Sequence, residues 1–117
     1  MTTPALQGIP QFDQLEIVRS GVATFANIPA GAGATGVTVN HNLGFTPIVI
    51  ASAGTTISNN PLPYINLSGS SSLAVALIIY VSVLNTLNVT FTWQQDSTGS
   101  AVTAPKVNYY LCRIRAS

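Results

Sequence analysis

Residues 20 to 95 form a long stretch of this 117-residue chain in which no side chain is formally charged, and His41 is its one titratable group below neutral pH. Charged residues make up 6% of the sequence, whereas soluble domains average about 25%. Copies of a domain with so little charge repel one another weakly and tend to associate. The composition therefore predicts a subunit of an assembly, most simply an obligate homo-oligomer.

A membrane protein is the first alternative that such low charge raises. The longest apolar stretch, residues 73 to 84, contains Ser82 and is followed at once by Asn85 and Thr86. A membrane-spanning helix needs about 20 apolar residues, so we expect no membrane insertion. The N-terminus has neither the basic start nor the apolar core of a secretory signal, which predicts synthesis in a cytoplasm.

Short runs rich in Val, Ile, Thr, Phe and Tyr, each closed by Gly, Pro, Asn or Ser, follow one another along the chain and are typical of β-strands. In residues 87 to 94, apolar and polar side chains alternate strictly, as in a strand buried on one face. Residues 48 to 53 are almost continuously apolar, which indicates a strand buried on both faces, inside a sandwich or between subunits. The further predicted strands are residues 15–20, 22–27, 37–41, 64–67, 73–83 and 106–115.

The expected fold is therefore all-β, a small antiparallel β-sandwich of six to eight strands with no helix. Residues 1 to 14 contain two prolines and no periodicity, which favours an extended arm or linker before a domain of residues 15 to 117. Gly21 is expected to mark a bend or bulge between the first two strands. Residues 28 to 36, with one Pro and three Gly, are expected to form a loop.

The residue types that catalysis requires are nearly missing. A hydrolytic nucleophile needs a base and an orienting acid, but His41 is the only histidine and the carboxylates are Asp13, Glu16 and Asp96. We expect no enzyme activity, no cofactor and no metal site within one chain. Three copies of His41 at the axis of a trimer are an alternative metal site, and a hydrogen bond from His41 to the turn it precedes is the simpler interpretation. Cys112 has no partner for a disulfide and is expected to be a small buried hydrophobe.

Nucleic acid is not an expected partner. The net charge of +1 and the isoelectric point near 7.9 give little attraction for phosphate. Arg113 and Arg115 fall on the same face of the final strand, where a pair of this kind indicates a solvated edge or an intersubunit contact.

The candidate ligand-binding residues combine neutral amides, aromatic rings and one carboxylate. Amides hydrogen-bond sugar hydroxyls and aromatic rings stack on the apolar face of a sugar, which points to Asn59 and Asn60 in one polar loop and to Tyr64 just after it. Trp93 is a second aromatic candidate, and its position on the apolar side of its strand also fits core packing. Asp96 is suited to gripping a pair of sugar hydroxyls, or alternatively to capping its own turn.

Two stretches of the sequence resemble a known family. Residues 18 to 25, VRSGVATF, and residues 37 to 51, VTVNHNLGFTPIVIA, look like the opening of H-type-lectin-like domains and of related modules at the ends of bacteriophage tail fibres. In that family a strand reading SG…F precedes a strand, an H-x-L-G-x-x-P turn and an apolar strand. The resemblance implies a six-stranded sandwich that assembles as a homotrimer and recognises carbohydrate through loops near the subunit boundaries.

The function that the resemblance implies is that of a bacteriophage virion protein, synthesised in the host cytoplasm. The leading hypothesis is a trimeric tail-fibre or receptor-binding tip module whose partners are other virion proteins and host cell-surface glycans. Lectins of this kind place charged side chains in the sugar groove, and the middle of this chain has none. A capsid decoration or head-fibre subunit with a purely structural role is therefore the main alternative, and a free-standing H-type lectin is a third.

Overall fold

A computed structural model describes residues 14 to 53, 64 to 66 and 77 to 115. The strands of these ranges are Leu15–Thr24 (β1), Gly33–Asn40 (β2), Ile48–Ala53 (β3), Tyr64–Asn66 (β4), Leu77–Leu84 (β5), Asn88–Gln95 (β6) and Lys106–Ile114 (β7). They form a three-stranded sheet of order β1-β7-β3 and a four-stranded sheet of order β2-β6-β5-β4. The predicted all-β sandwich is confirmed, and no helix in the described ranges is long and apolar enough to cross a membrane.

Neighbouring strands are antiparallel except at one edge, where β4 runs parallel to β5. Parallel neighbours need a connection that carries the chain back to the same end of the sheet. The strand pattern of a sequence does not reveal such a connection, so this pairing was not part of the predicted antiparallel arrangement. β1 begins at Leu15, and the predicted arm lies outside the described residues apart from Gln14.

The core lies between the central strands of the two sheets. Alternate residues of these strands are buried: Val89, Phe91 and Trp93 in β6, and Val107, Tyr109 and Leu111 in β7. The rings of Phe91 and Tyr109 meet across the two sheets with their centroids 6.0 Å apart. Burial of each such large side chain contributes about 1.5–3 kcal/mol, so these two strands hold the sandwich together.

β1 differs from its prediction because it is continuous through Gly21. The register shift against β7 lies instead between Ile17 and Arg19. Gly21 serves close packing: a Cβ at this position would stand 2.5 Å from the hydroxyl oxygen of Tyr109. Gly21, which the sequence predicted to mark a bend or bulge, is thus required because a larger residue would collide with the side chain of Tyr109.

β2 begins at Gly33, within the segment predicted to be a loop. Its backbone pairs with β6 from Gly33 opposite Gln95 to Asn40 opposite Asn88. The ladder of hydrogen bonds to a central strand outweighs the low strand propensity of alanine and glycine here, because β-propensity depends strongly on context. The loop prediction for residues 33 to 36 was therefore wrong.

β3 is not buried on both faces within one chain. Val49 and Ala51 pack against the core, while Ile48 and Ile50 on the other side are each 44% exposed. The interpretation that this strand is covered on both sides inside the sandwich was wrong. Its alternative, that the second side is covered between subunits, stays a prediction.

Candidate binding and assembly surfaces

His41 is fully buried, with 0% of its surface exposed, beside the turn that leads from β2 to β3. Its Nδ1 accepts a hydrogen bond of 3.0 Å from the backbone N–H of Leu43, and its Nε2 lies 3.0 Å from the carbonyl oxygen of Asn85. A carbonyl oxygen only accepts, so the neutral ring must carry its proton on Nε2 to make both bonds. The predicted hydrogen bond from His41 to its own turn is confirmed.

The rest of the same turn is fixed to the hairpin between β5 and β6. The backbone N–H of Asn42 donates to the Leu87 carbonyl at 3.0 Å, and that of Gly44 donates to the Thr86 carbonyl at 2.9 Å. Asn42 and Gly44 both have positive φ angles, 52° and 81°, a conformation that favours Gly and Asn over most residues. The H-x-L-G-x-x-P motif therefore has a structural role in joining the two sheets.

Asp96 caps the turn that follows β6. Its Oδ1 accepts a 2.6 Å hydrogen bond from the Thr98 hydroxyl and a 2.9 Å bond from the Thr98 backbone N–H. These two bonds hold the pKa of Asp96 below its ordinary value, and the bond from the Thr98 hydroxyl contributes most. One carboxylate oxygen is thus engaged in local structure, as the capping alternative for this residue describes.

Gln95 is a structural residue that the sequence analysis did not identify. It is 2% exposed, and its Nε2 donates to the carbonyl oxygens of Pro29 at 2.8 Å and Gly31 at 3.0 Å. The signal was present in the sequence, because the alternation that places Trp93 in the core continues to Gln95 two residues later. Gln95 ties the loop between β1 and β2 to the end of β6.

The other candidate ligand-binding residues are not brought together in the described part of the chain. Trp93 is 3% exposed and belongs to the core cluster, so its ring faces pack against protein. The backbone of Tyr64 pairs with that of Ile78 at the start of β4. The side chain of Tyr64, and the whole of Asn59 and Asn60, lie outside the described residues.

Glu16 and three arginines at one end of the three-stranded sheet have partners within the chain. Nε of Arg113 lies 2.8 Å from a carboxylate oxygen of Glu16, and Nη1 of Arg115 lies 3.8 Å from the other. The guanidinium of Arg113 also lies 5.6 Å from the ring centroid of Phe45, and Arg19 donates to the carbonyl oxygen of His41. Arg113 and Arg115 thus share Glu16 as an intrachain partner, and both arginines are exposed in the single chain.

The outward side of the β1-β7-β3 sheet is apolar, and we call it the outer apolar face. Its large side chains are 40–60% exposed: Leu15, Ile17, Val22, Ile48, Ile50, Tyr110 and Ile114. In the middle of the face lies Cys112, paired with Ile17 on one side and Ile48 on the other. Cys112 itself is 0% exposed, and its burial raises the pKa of the thiol.

The outward side of the β2-β6-β5 part of the other sheet is polar and carries neutral hydroxyl groups. The Thr38 and Thr90 hydroxyl oxygens are 2.8 Å apart, and those of Ser82 and Thr92 are 2.7 Å apart. Hydroxyls that bond one another still offer acceptor positions to water. The two outward faces of the sandwich therefore differ sharply, one apolar and the other hydrophilic.

Within the described ranges, no group of three or more His, Cys, Asp or Glu residues is arranged to hold a metal ion. No protein-family model, curated protein or solved structure matches this chain.

Proposed function

We propose that this chain is a structural subunit of a bacteriophage virion, a trimeric tail-fibre or receptor-binding tip module that recognises host cell-surface glycans. The observation that carries the proposal is the outer apolar face, which a free monomer would leave in water. The resemblance of residues 18 to 25 and 37 to 51 to H-type-lectin-like tip modules supports the choice of virion and of trimer.

The distribution of charge on β1 and β7 supports an assembled state. Side chains alternate between the two sides of a strand, so Glu16 and Arg113 point away from the side that carries Ile17 and Cys112. At this end of the sheet, Glu16 and Arg113 thus lie on the side of the second sheet, while Ile17 and Cys112 face outward. A sheet with one side in water normally shows the opposite order, which fits an outward side that is covered in the functional particle.

Glycan recognition by this module would rely on neutral groups repeated in several copies. Asn59, Asn60 and Tyr64 supply amides and a ring, and Asp96 supplies a carboxylate. Trp93 is left out of the proposed site because it is buried in the core. Single neutral contacts are modest, and three sites engaging one cell surface together multiply the affinity.

A capsid decoration or head-fibre subunit with a purely structural role is the second candidate. Two observations favour it: Trp93 has no ring face open to a sugar, and Oδ1 of Asp96 is bonded within its own turn. On this alternative the partners are other virion proteins alone.

Two measurements distinguish the candidates. Mass spectrometry of purified particles of the encoding phage is expected to detect the chain, and its absence from particles would overturn both. The purified oligomer is then applied to host cells and to a glycan array, with Tyr64→Ala and Asp96→Ala as site variants and Ser97→Ala as a matched control on an exposed neighbour. Binding that either site variant weakens supports the tip module, and no binding by the wild type supports the structural subunit.

A further inference from the structure

We infer that the outer apolar face of the β1-β7-β3 sheet is the contact surface between copies of this chain, so that its occupant is a second copy. The inference deepens the proposed function and rests on its premise that the chain assembles. It assigns the contact to one of the two outward faces of the sandwich, which the sequence motifs do not do.

The apolar side chains of this face lie in successive rows across the sheet. Ile17, Cys112 and Ile48 are paired in one row, and Tyr110 and Ile50 are paired in the next. Cys112 is already covered, while the Ile17 and Ile48 side chains beside it are 59% and 44% exposed. The face is thus a continuous apolar surface and not a set of scattered residues.

The area of the face fits the centre of a protein interface. A fully exposed large apolar residue offers roughly 150–200 Å², so the exposed fractions of these side chains amount to about 600 Å². This area is at the upper limit of the ~300–600 Å² typical of the largest apolar patch on a monomer. A standard interface buries ~800 Å² on each partner. Neutral polar residues on the same side of the sheet add to the apolar area and can form the polar rim of such an interface: Ser20, Ser52 and Asn108.

The charge of the face favours a second copy as the occupant. Any charge in its middle would meet the same charge on a symmetric copy and repel it. The charged residue on this side is Lys106, paired with Thr24 at the far end of the sheet, so the apolar centre meets no repulsion.

The test places a lysine on each outward face of the sandwich and measures molecular mass by light scattering over a range of concentrations. Ile50→Lys acts on the outer apolar face. Val83→Lys is the matched control: Val83 is 43% exposed against 44% for Ile50, and it is paired with Thr90 on the hydrophilic outward side of the other sheet. Circular dichroism checks that each variant is folded.

We expect the wild type to be an oligomer at micromolar concentration. Ile50→Lys should raise the dissociation constant at least ~100-fold, because the interface would bury an unpaired ammonium group. Val83→Lys should leave it within about threefold. If Ile50→Lys fails to fold, Ile50→Thr keeps the β-branched shape and should raise the dissociation constant by about tenfold, as expected when a buried apolar contact is replaced by a hydroxyl.

Each contrary result has a distinct meaning. A wild-type chain that is a stable monomer would overturn the proposed assembly and this inference with it. A wild-type oligomer that Ile50→Lys leaves intact, or that Val83→Lys dissociates, would overturn the assignment of the face alone. Loss of Ile50→Lys from virus particles with an unchanged oligomer would show that another virion protein occupies the face, and would also overturn the inference.

Discussion

Nε2 of His41 lies 3.0 Å from the carbonyl oxygen of Asn85, so a buried ring joins the turn after β2 to the hairpin between β5 and β6. The same ring accepts the backbone N–H of Leu43 through Nδ1. Both ring nitrogens are thus occupied by backbone groups of two different turns. This arrangement makes His41 a structural residue of the sandwich.

His41→Ala is expected to lower the free energy of unfolding by about 2–4 kcal/mol. The substitution removes the partners of the Leu43 N–H and the Asn85 carbonyl and leaves a cavity where a fully buried ring was. Urea denaturation monitored by Trp93 fluorescence measures the change. Thr46→Ala, at an exposed position of the same turn, is the control and should stay within about 0.5 kcal/mol of the wild type. A similar small effect for His41→Ala would contradict the structural role.

Gly99→Ala is expected to lower the free energy of unfolding by about 1–3 kcal/mol, the usual range for overpacking. A Cβ on Gly99 would overlap the side chain of Gln95, which is held by its bonds to Pro29 and Gly31. Gly33→Ala is the matched control, because a Cβ there first meets Trp93 at an ordinary distance of 3.4 Å. Equal stability of the two variants in thermal or urea unfolding would show that Gln95 moves freely and does not tie the loops.

The sequence predicted those parts of the fold that depend on local alternation. In residues 87 to 94, every second side chain is apolar, and the structure buries Val89, Phe91 and Trp93 on one side of β6. Such predictions succeed because alternate residues of a strand point to opposite sides of the sheet, so the spacing of apolar residues shows which side is buried.

Features that depend on partners distant in the sequence were not predictable in this way. The start of β2 at Gly33 follows from pairing with Gln95, and the parallel edge follows from the backbone pairing of Tyr64 with Ile78. Likewise, the continuous apolar run of β3 did not show that the side chains of Ile48 and Ile50 are exposed on the outward side of a single chain. A strand covered by its own sandwich and a strand covered by a second subunit have the same sequence pattern.

The candidate site was predicted by chemistry more than by geometry. Aromatic and amide residues are the right types for sugar recognition, but residue type does not say whether a ring faces solvent. For Trp93 the structure gives the answer, since the ring is in the core. For Asp96 a local turn already uses one carboxylate oxygen, which agrees with the capping alternative.

Thr98→Ala is expected to raise the pKa of Asp96 back towards its ordinary value, because the Thr98 hydroxyl bond is the largest cause of its lowering. A carboxyl with a lowered pKa in the folded state adds stability above its ordinary pKa, and this contribution is lost as the pH falls through the folded value. Wild type should therefore lose slightly more stability than Thr98→Ala on acidification below about pH 4. Carbon-13 NMR titration of the Asp96 carboxyl measures the pKa, and Ser97→Ala is the control. An unchanged pKa in Thr98→Ala would show that the Thr98 hydroxyl bond does not lower the pKa of Asp96.

The Cys112 thiol is expected to react slowly with an aromatic disulfide reagent at neutral pH in the folded protein. Burial raises the pKa of Cys112, and the thiolate is the reactive species. A 0% exposed sulfur also denies the reagent access. The rate should increase at least ~100-fold in denaturant, where the thiol has its ordinary pKa and is exposed. Cys112→Ala carrying Thr46→Cys at the exposed turn is the control, and should react at the same rate with and without denaturant.

The same burial predicts how stability depends on alkaline pH. Because the pKa of Cys112 is higher in the folded chain than in the unfolded chain, its contribution to stability is complete below the ordinary thiol value of 9.0 and is lost as the pH rises through the folded value. Wild type should therefore lose more stability between about pH 8 and pH 11 than Cys112→Ala does, whatever the effect of the substitution at neutral pH. The difference between the two stability curves reports the ionisation of the thiol alone, because the tyrosines and the lysine are present in both chains. Parallel stability curves for the two chains across this range would mean that the thiol ionises as easily in the folded sheet as in the unfolded chain, so that Ile17 and Ile48 do not keep it from water.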